Sequence, residues 1–223
     1  MNSTQLKLLA LLSMLIDHIG VILFPQLSSL RILGRLSFPI FCFFVAQGFL
    51  YTSNRSKYSL RLFLFAVLSE IPFDLAIKGR FLDWNSQNVF FTLLTGLCAL
   101  FVLEQYLNRY PLAALAGVGI LSAAAQFLSM DYGWYGVILI VLFYVCEKNK
   151  VVLSLSFVLL NTGFSILSQS STQPYAASAL LPLCFYNGKR GKHPLKYLFY
   201  LFYPVHLLAL AALRDLLFPL LFS

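Results

Sequence analysis

The chain has 223 residues, 60% of them hydrophobic and 11% charged, with a formal net charge of +8. Soluble domains carry about 25% charged residues, so the composition excludes an ordinary soluble enzyme and indicates a polytopic membrane protein. The basic residues are dispersed over short segments, which argues against nucleic acid as a partner, because that needs them gathered on one face.

Apolar runs long enough to cross about 30 Å of hydrocarbon predict about nine helices (eight to ten), near 6–24, 36–52, 59–77, 88–104, 111–128, 133–146, 151–168, 174–186 and 197–218. The first reads LKLLALLSMLIDHIGVILF and carries Asp17 and His18 side by side at its middle. It is long and no small-residue cleavage site follows it, so it is expected to stay as a spanning helix rather than leave as a signal peptide. Inserting an acidic residue at a helix centre costs about 2.5–3.5 kcal/mol, which marks the pair as a site. A base beside a group that orients it is the minimum for proton transfer or nucleophile activation.

Arg31 and Arg35, in LRILGRLSFPIF, lie four apart at the start of the 36–52 helix. Two guanidinium forks suit a phosphate or carboxylate; they equally suit salt bridges to Asp74 or Asp83. The third helix, within YSLRLFLFAVLSEIPFDLAIKG, puts Glu70 and Asp74 on one face. Pro72 between them removes a backbone donor, which predicts a kink and a polar cavity. The alternative is that Glu70 pairs with an Arg to hold the bundle together.

Gln87 and Asn88 open the fourth helix, where Asn88 suits a cap. Asp131, Tyr132, Gly133, Tyr135 and Gly136 lie in DYGWYG, whose glycines suit close packing and whose aromatics suit an interfacial belt. The 174–186 segment is short and starts at Pro174, so it is expected to be broken or re-entrant. The loop YNGKRGKHPLK, containing His193, suits lipid headgroups or a nucleotide phosphate, or simply reflects the bias of basic residues toward the cytoplasm. His206, two residues after Pro204 in the last helix, is either a packed, hydrogen-bonded residue or a functional group, a reading its match in depth with His18 supports. Cys42, Cys98, Cys146 and Cys184 lack metal-ligand spacing and read as small core hydrophobes; no metal site is expected. With no repeat, low-complexity tract or soluble segment, residues 1–223 read as a single membrane domain.

Placing the amino terminus in the cytoplasm puts eleven of the sixteen Lys and Arg on the inner side, and that bias predicts the orientation. Counted inward from the cytoplasmic ends, Asp17, His18, Glu70 and His206 all sit roughly 14–18 Å deep at 1.5 Å per residue. Three helices distant in sequence thus bring titratable groups to one level.

Taken in order, LKLLALLSMLIDHIG, LRILGRLSFPIFCF, QNVFFTLL, DYGWYG and FYLFYPVHLL resemble the TraX family of integral-membrane acetyltransferases nearly from end to end. More distantly, the chain is similar to the broader membrane acyltransferases, which share a first-helix His. The resemblance bears on Asp17, His18, Arg31, Arg35, Asn88, Asp131, Tyr132, Gly133 and His206. It implies a multi-pass protein of the inner (cytoplasmic) membrane, acetyl-CoA as donor, and a protein amino terminus such as that of pilin, or an exported glycan, as acceptor. The chain departs from the pilin-modifying type member in SEIPFD, so Glu70 and Asp74 rest on the residue reading alone.

On this reading His18 is the general base for an amine or hydroxyl, with Asp17, Glu70 and His206 as further catalytic groups. Arg31, Arg35, Asp74, Asn88, Asp131 and Tyr132 face the substrates. Asp17 is the nearest orienter in sequence, but adjacent helix residues point about 100° apart, so Glu70 or Asp74 is the alternative orienter. The rival function is a proton-coupled transporter using the same buried Asp, Glu and His residues.

Overall fold

The structure is a computed structural model that describes residues 1–191 and 196–222; Lys192 and His193 of the basic loop lie outside the described residues. It is all-helical. In chain order come α1 (Ser3–Ile22), α2 (Ser28–Gly34), α3 (Ser37–Tyr51), α4 (Arg55–Lys78), α5 (Val89–Tyr106), α6 (Pro111–Phe127), α7 (Gly133–Val145) and α8 (Lys150–Leu167). A 3-10 helix (Gln173–Ala179), α9 (Leu180–Cys184) and α10 (Lys196–Phe222) follow. Among the described residues there is no strand, only an isolated bridge between Gln87 and Met130.

Five segments are long and apolar enough to cross a membrane: Ser3–Ile22, Ser28–Tyr51, Val89–Tyr106, Lys150–Leu167 and Tyr197–Leu217. Leucines such as Leu112, Leu159 and Leu201 stay exposed on helix faces, an arrangement that hydrocarbon, unlike water, accepts without cost. The protein is a multi-pass membrane protein. Its chain divides into two compact units, Met1–Ile40 with Leu68–Asp83 and Ser165–Ser223, and Phe41–Val67 with Trp84–Phe164.

In the first unit, α1 opens on a capping box in which Asn2 accepts from the Gln5 backbone N–H and Gln5 returns the bond. The Ser3 N–H donates to the Lys189 carbonyl at 2.9 Å, and the Asn187 N–H to the Met1 carbonyl at 3.0 Å. Leu6, Ala10, Leu11 and Met14 of α1 are buried, as are Tyr203, Leu207 and Leu210 of α10. Two glycines bring α1 and α2 together: a Cβ on Gly20 would lie 2.8 Å from Leu30 Cβ, and one on Gly34 would lie 2.2 Å from Asp17 Cβ. The Ser13 hydroxyl donates across this contact to the Leu33 carbonyl at 2.7 Å.

In the second unit α5, α6 and α7 pack against one another. Gly96 faces Ile140, and Gly117 faces Val102. Fully buried Tyr135 stacks on Phe164 with ring centroids 4.3 Å apart and donates from its hydroxyl to Asn161 Oδ1 at 3.1 Å.

Three expectations change. The segment before α3 is a separate short helix, α2, joined to α3 through a turn at Arg35 and Leu36. Pro39 has no N–H for the Arg35 carbonyl and fits only because it lies in the first turn of α3. The helix expected over 59–77 runs longer, Arg55–Lys78, and continues through Pro72. Of the four cysteines only Cys42 is buried, while Cys98 and Cys184 lie on exposed faces. The 174–186 segment is broken as expected, into a 3-10 helix and a single α turn containing Pro182.

Candidate functional site

In the first unit Asp17, His18, Arg35 and His206 come together where α1 meets α2 and α10. Asp17 leaves α1 toward α2. Arg35 Nη2 donates to Asp17 Oδ1 at 3.2 Å, and Arg31 Nε lies 3.6 Å from the same oxygen. The Arg35 side chain is only 10% exposed and Asp17 14%, whereas Arg31 is 32% exposed. The helical spacing of four places both guanidinium groups on one face of the segment, and the absent side chain of Gly34 makes room for the carboxylate. Two cations share one anion, so the ionised cluster carries one surplus positive charge. The two arginines therefore close salt bridges as sequence reasoning allowed, but to Asp17 rather than to Asp74 or Asp83.

That engagement corrects the expected orienter of His18. The Asp17 carboxylate is drawn to α2, and the side chain hydrogen-bonded to His18 is another imidazole: His18 Nδ1 lies 2.9 Å from His206 Nε2. His206 Nδ1 in turn lies 2.6 Å from the Phe202 carbonyl, one helical turn back along α10. Phe202 stacks on the His206 ring at 4.8 Å and 18°. Tyr203 sets its ring edgewise to both imidazoles, 5.9 Å from His18 and 5.8 Å from His206. His206 is buried at 6% exposure and His18 is half-buried. His18 and His206, matched in depth by the count along their helices, are thus joined directly although 188 residues apart in the chain.

The carboxylates of α4 do other work. Asp74 is fully buried, and its Oδ2 accepts the Asp83 backbone N–H at 2.7 Å, which ties the 79–83 loop back onto the helix end. Glu70 is half-buried one turn earlier. Nearby on α10, Arg214 Nη1 donates to the Ala76 carbonyl at 3.0 Å.

The remaining sequence-predicted residues belong to the second unit. Asn88 caps α5, accepting the Phe90 N–H at 3.0 Å through Oδ1 and donating from Nδ2 to the Ala66 carbonyl at 2.7 Å. Its amide is committed at both ends, a helix cap rather than a free ligand-binding group. Asp131 joins the bridge with Gln87, donating its N–H to the Gln87 carbonyl at 2.9 Å, and its own carbonyl accepts the Thr92 hydroxyl. Tyr132 precedes α7 in the left-handed region at φ 63°, and Gly133 follows at φ 46°. A Cβ on Gly133 would also lie 2.4 Å from Gln126 Oε1, so the glycine there serves conformation and packing together.

Sequence reasoning missed Tyr203, Ser13 and Gly34. Tyr203 lies in the YPVH segment, three residues before His206, so helical periodicity was the available signal. Gly34 announces itself only as a glycine between two arginines.

Residues 2–214 match the family model described as TraX protein. A probable fimbrial assembly protein, FimC of serogroup H1, from Dichelobacter nodosus is 32% identical over 243 residues, covering 97% of this chain and 97% of that protein. An uncharacterized protein of Rickettsia prowazekii (strain Madrid E) is 27% identical over 152 residues, covering 67% of this chain and 58% of that protein. No solved structure matches the chain.

Proposed function

The chain belongs to the TraX family, and from that premise we propose that it is an integral-membrane acyltransferase that moves acetyl from acetyl-CoA to an amine or hydroxyl presented at the membrane. The observation that carries this reading is the hydrogen-bonded His18–His206 pair between two membrane-spanning helices. An imidazole held by a fixed partner in apolar surroundings suits a general base. The acceptor class with most support is a protein amino terminus of the pilin type, because the Dichelobacter nodosus relative is named as a fimbrial assembly protein; an exported glycan is the alternative.

The acceptor attacks the thioester carbonyl, the new C–N or C–O bond forms, and the C–S bond breaks. His18 takes the proton from the acceptor and returns it to the departing thiolate, so no cysteine or serine of the chain is acylated. The surplus charge on the Asp17–Arg31–Arg35 cluster, with Arg31 its most exposed member, suits an anionic part of donor or acceptor. The basic bias supports an amino terminus in the cytoplasm and a home in the inner membrane of the cell, where acetyl-CoA would be available.

The test is acetyl-CoA consumption by the purified protein, read as free thiol, with a peptide bearing a pilin-like amino terminus. His18→Ala should lower the rate by roughly 10²–10⁴-fold, the worth of a positioned general base. A rate within a few-fold of the parent overturns the assignment. CoA at about 100 times its Kd should also stabilise the protein by about 2.7 kcal/mol. No shift and no turnover would favour the proton-coupled transporter.

A further inference from the structure

Within the acyl-transfer reading, the geometry points to His206 as a positioning residue that fixes the tautomer of His18 and leaves His18 Nε2 as the basic atom. A carbonyl oxygen can only accept a hydrogen bond. With the Phe202 carbonyl 2.6 Å from His206 Nδ1, the proton of a neutral His206 sits on Nδ1, and Nε2 holds a lone pair. That lone pair faces His18 Nδ1 at 2.9 Å. A bond between two ring nitrogens needs one proton, so His18 carries its proton on Nδ1 and offers Nε2 bare. The chain of bonds thus runs from His18 through His206 to the Phe202 carbonyl, while the Met14 carbonyl one turn back along α1 is a backbone partner of the His18 ring itself.

The surroundings hold this arrangement. His206 is buried at 6% exposure, with Phe202 stacked on one face and Tyr203 edge-on. It therefore acts through His18 rather than on a substrate. When His18 Nε2 takes a proton from the acceptor, the Nδ1–H bond to His206 becomes charge-assisted and strengthens. The cation is then shared by two rings anchored on the Phe202 carbonyl until the proton leaves again through Nε2. A carboxylate would hold the tautomer equally well, but Asp17 is already engaged by Arg31 and Arg35. The neutral imidazole does the same work without a second buried anion.

The deciding experiment is nitrogen NMR of the full chain in detergent, with labelled histidine and with His193→Gln removing the third ring. The expected spectrum shows His18 and His206 both protonated at Nδ1 and bare at Nε2. His206→Leu should release His18 from that tautomer. It should also lower kcat by roughly 10²-fold while leaving KM for acetyl-CoA unchanged, and His206→Gln, whose side-chain oxygen can still accept, should retain activity within about tenfold of the parent. A His18 proton on Nε2 in the parent protein overturns the proposal, as does a folded His206→Leu variant with parental kcat. The spectrum reads the tautomer whatever the reaction is. Inactivity of every form beside the expected spectrum would therefore count against acyl transfer and leave the role of His206 standing.

Discussion

Gly34→Ala tests the contact on which the Asp17 cluster depends. The added Cβ would lie 2.2 Å from Asp17 Cβ, 2.3 Å from Oδ1 and 2.6 Å from Cγ, where carbon atoms rest at about 3.5–4.0 Å. More than an ångström of clearance has to be found. Asp17 Cβ is rooted in α1 and cannot swing aside, so α1 and α2 must separate. Overpacking of this kind costs about 1–3 kcal/mol. The same movement stretches the Arg35–Asp17 bond, already 3.2 Å long, and that added loss offsets the roughly 1 kcal/mol that alanine contributes as a better helix former. A net destabilisation of about 1–3 kcal/mol corresponds, at about 2–4 °C per kcal/mol for a chain of this size, to a melting temperature lower by several degrees. The assay is thermal unfolding in detergent beside Gly119→Ala and Gly163→Ala, where an added Cβ meets nothing within 4 Å. Those two should gain up to about 1 kcal/mol. If all three variants melt together at or above the parent temperature, the close approach of α1 and α2 is refuted.

Asp17→Asn should leave Arg35 buried without its counter-charge and destabilise the protein, toward the lower end of the about 3–5 kcal/mol typical of a broken buried pair. Asp17→Leu combined with Arg35→Met should melt higher than Asp17→Asn. Tyr135→Phe should cost about 1 kcal/mol by removing the buried hydroxyl's bond to Asn161 Oδ1 in the second unit, and a double-mutant cycle with Asn161→Leu should show a coupling of that size. Asn88→Ala should lower stability by about 1–2 kcal/mol through loss of the α5 cap, and Asn88→Asp, which keeps the Phe90 bond but sets a buried carboxylate oxygen against the Ala66 carbonyl, should be destabilised as well. Arg55 and Glu104, ion-paired while 32% and 43% exposed, should show a coupling of no more than about 1 kcal/mol that shrinks with added salt.

Most of the helices, the membrane class and the family were legible in the residues themselves. Apolar run length, proline and glycine positions and the basic bias are local properties, and hydrocarbon leaves the backbone few choices besides a helix. Asn88 as a cap and the broken 174–186 segment follow from the same local rules. Asp17, His18 and His206 stood out for a related reason, since titratable groups at mid-helix are costly wherever they face. Which partner each one takes was decided by the tertiary structure. Adjacent helix residues diverge by about 100°, so Asp17 and His18, inseparable in sequence, turn to different helices. The carboxylate goes to the arginines of the short α2, admitted there by Gly34, and the imidazole goes to His206 on α10. Depth along each helix can be counted from a sequence, but rotation about each axis is set by side-chain packing between helices, and that rotation decides who meets whom.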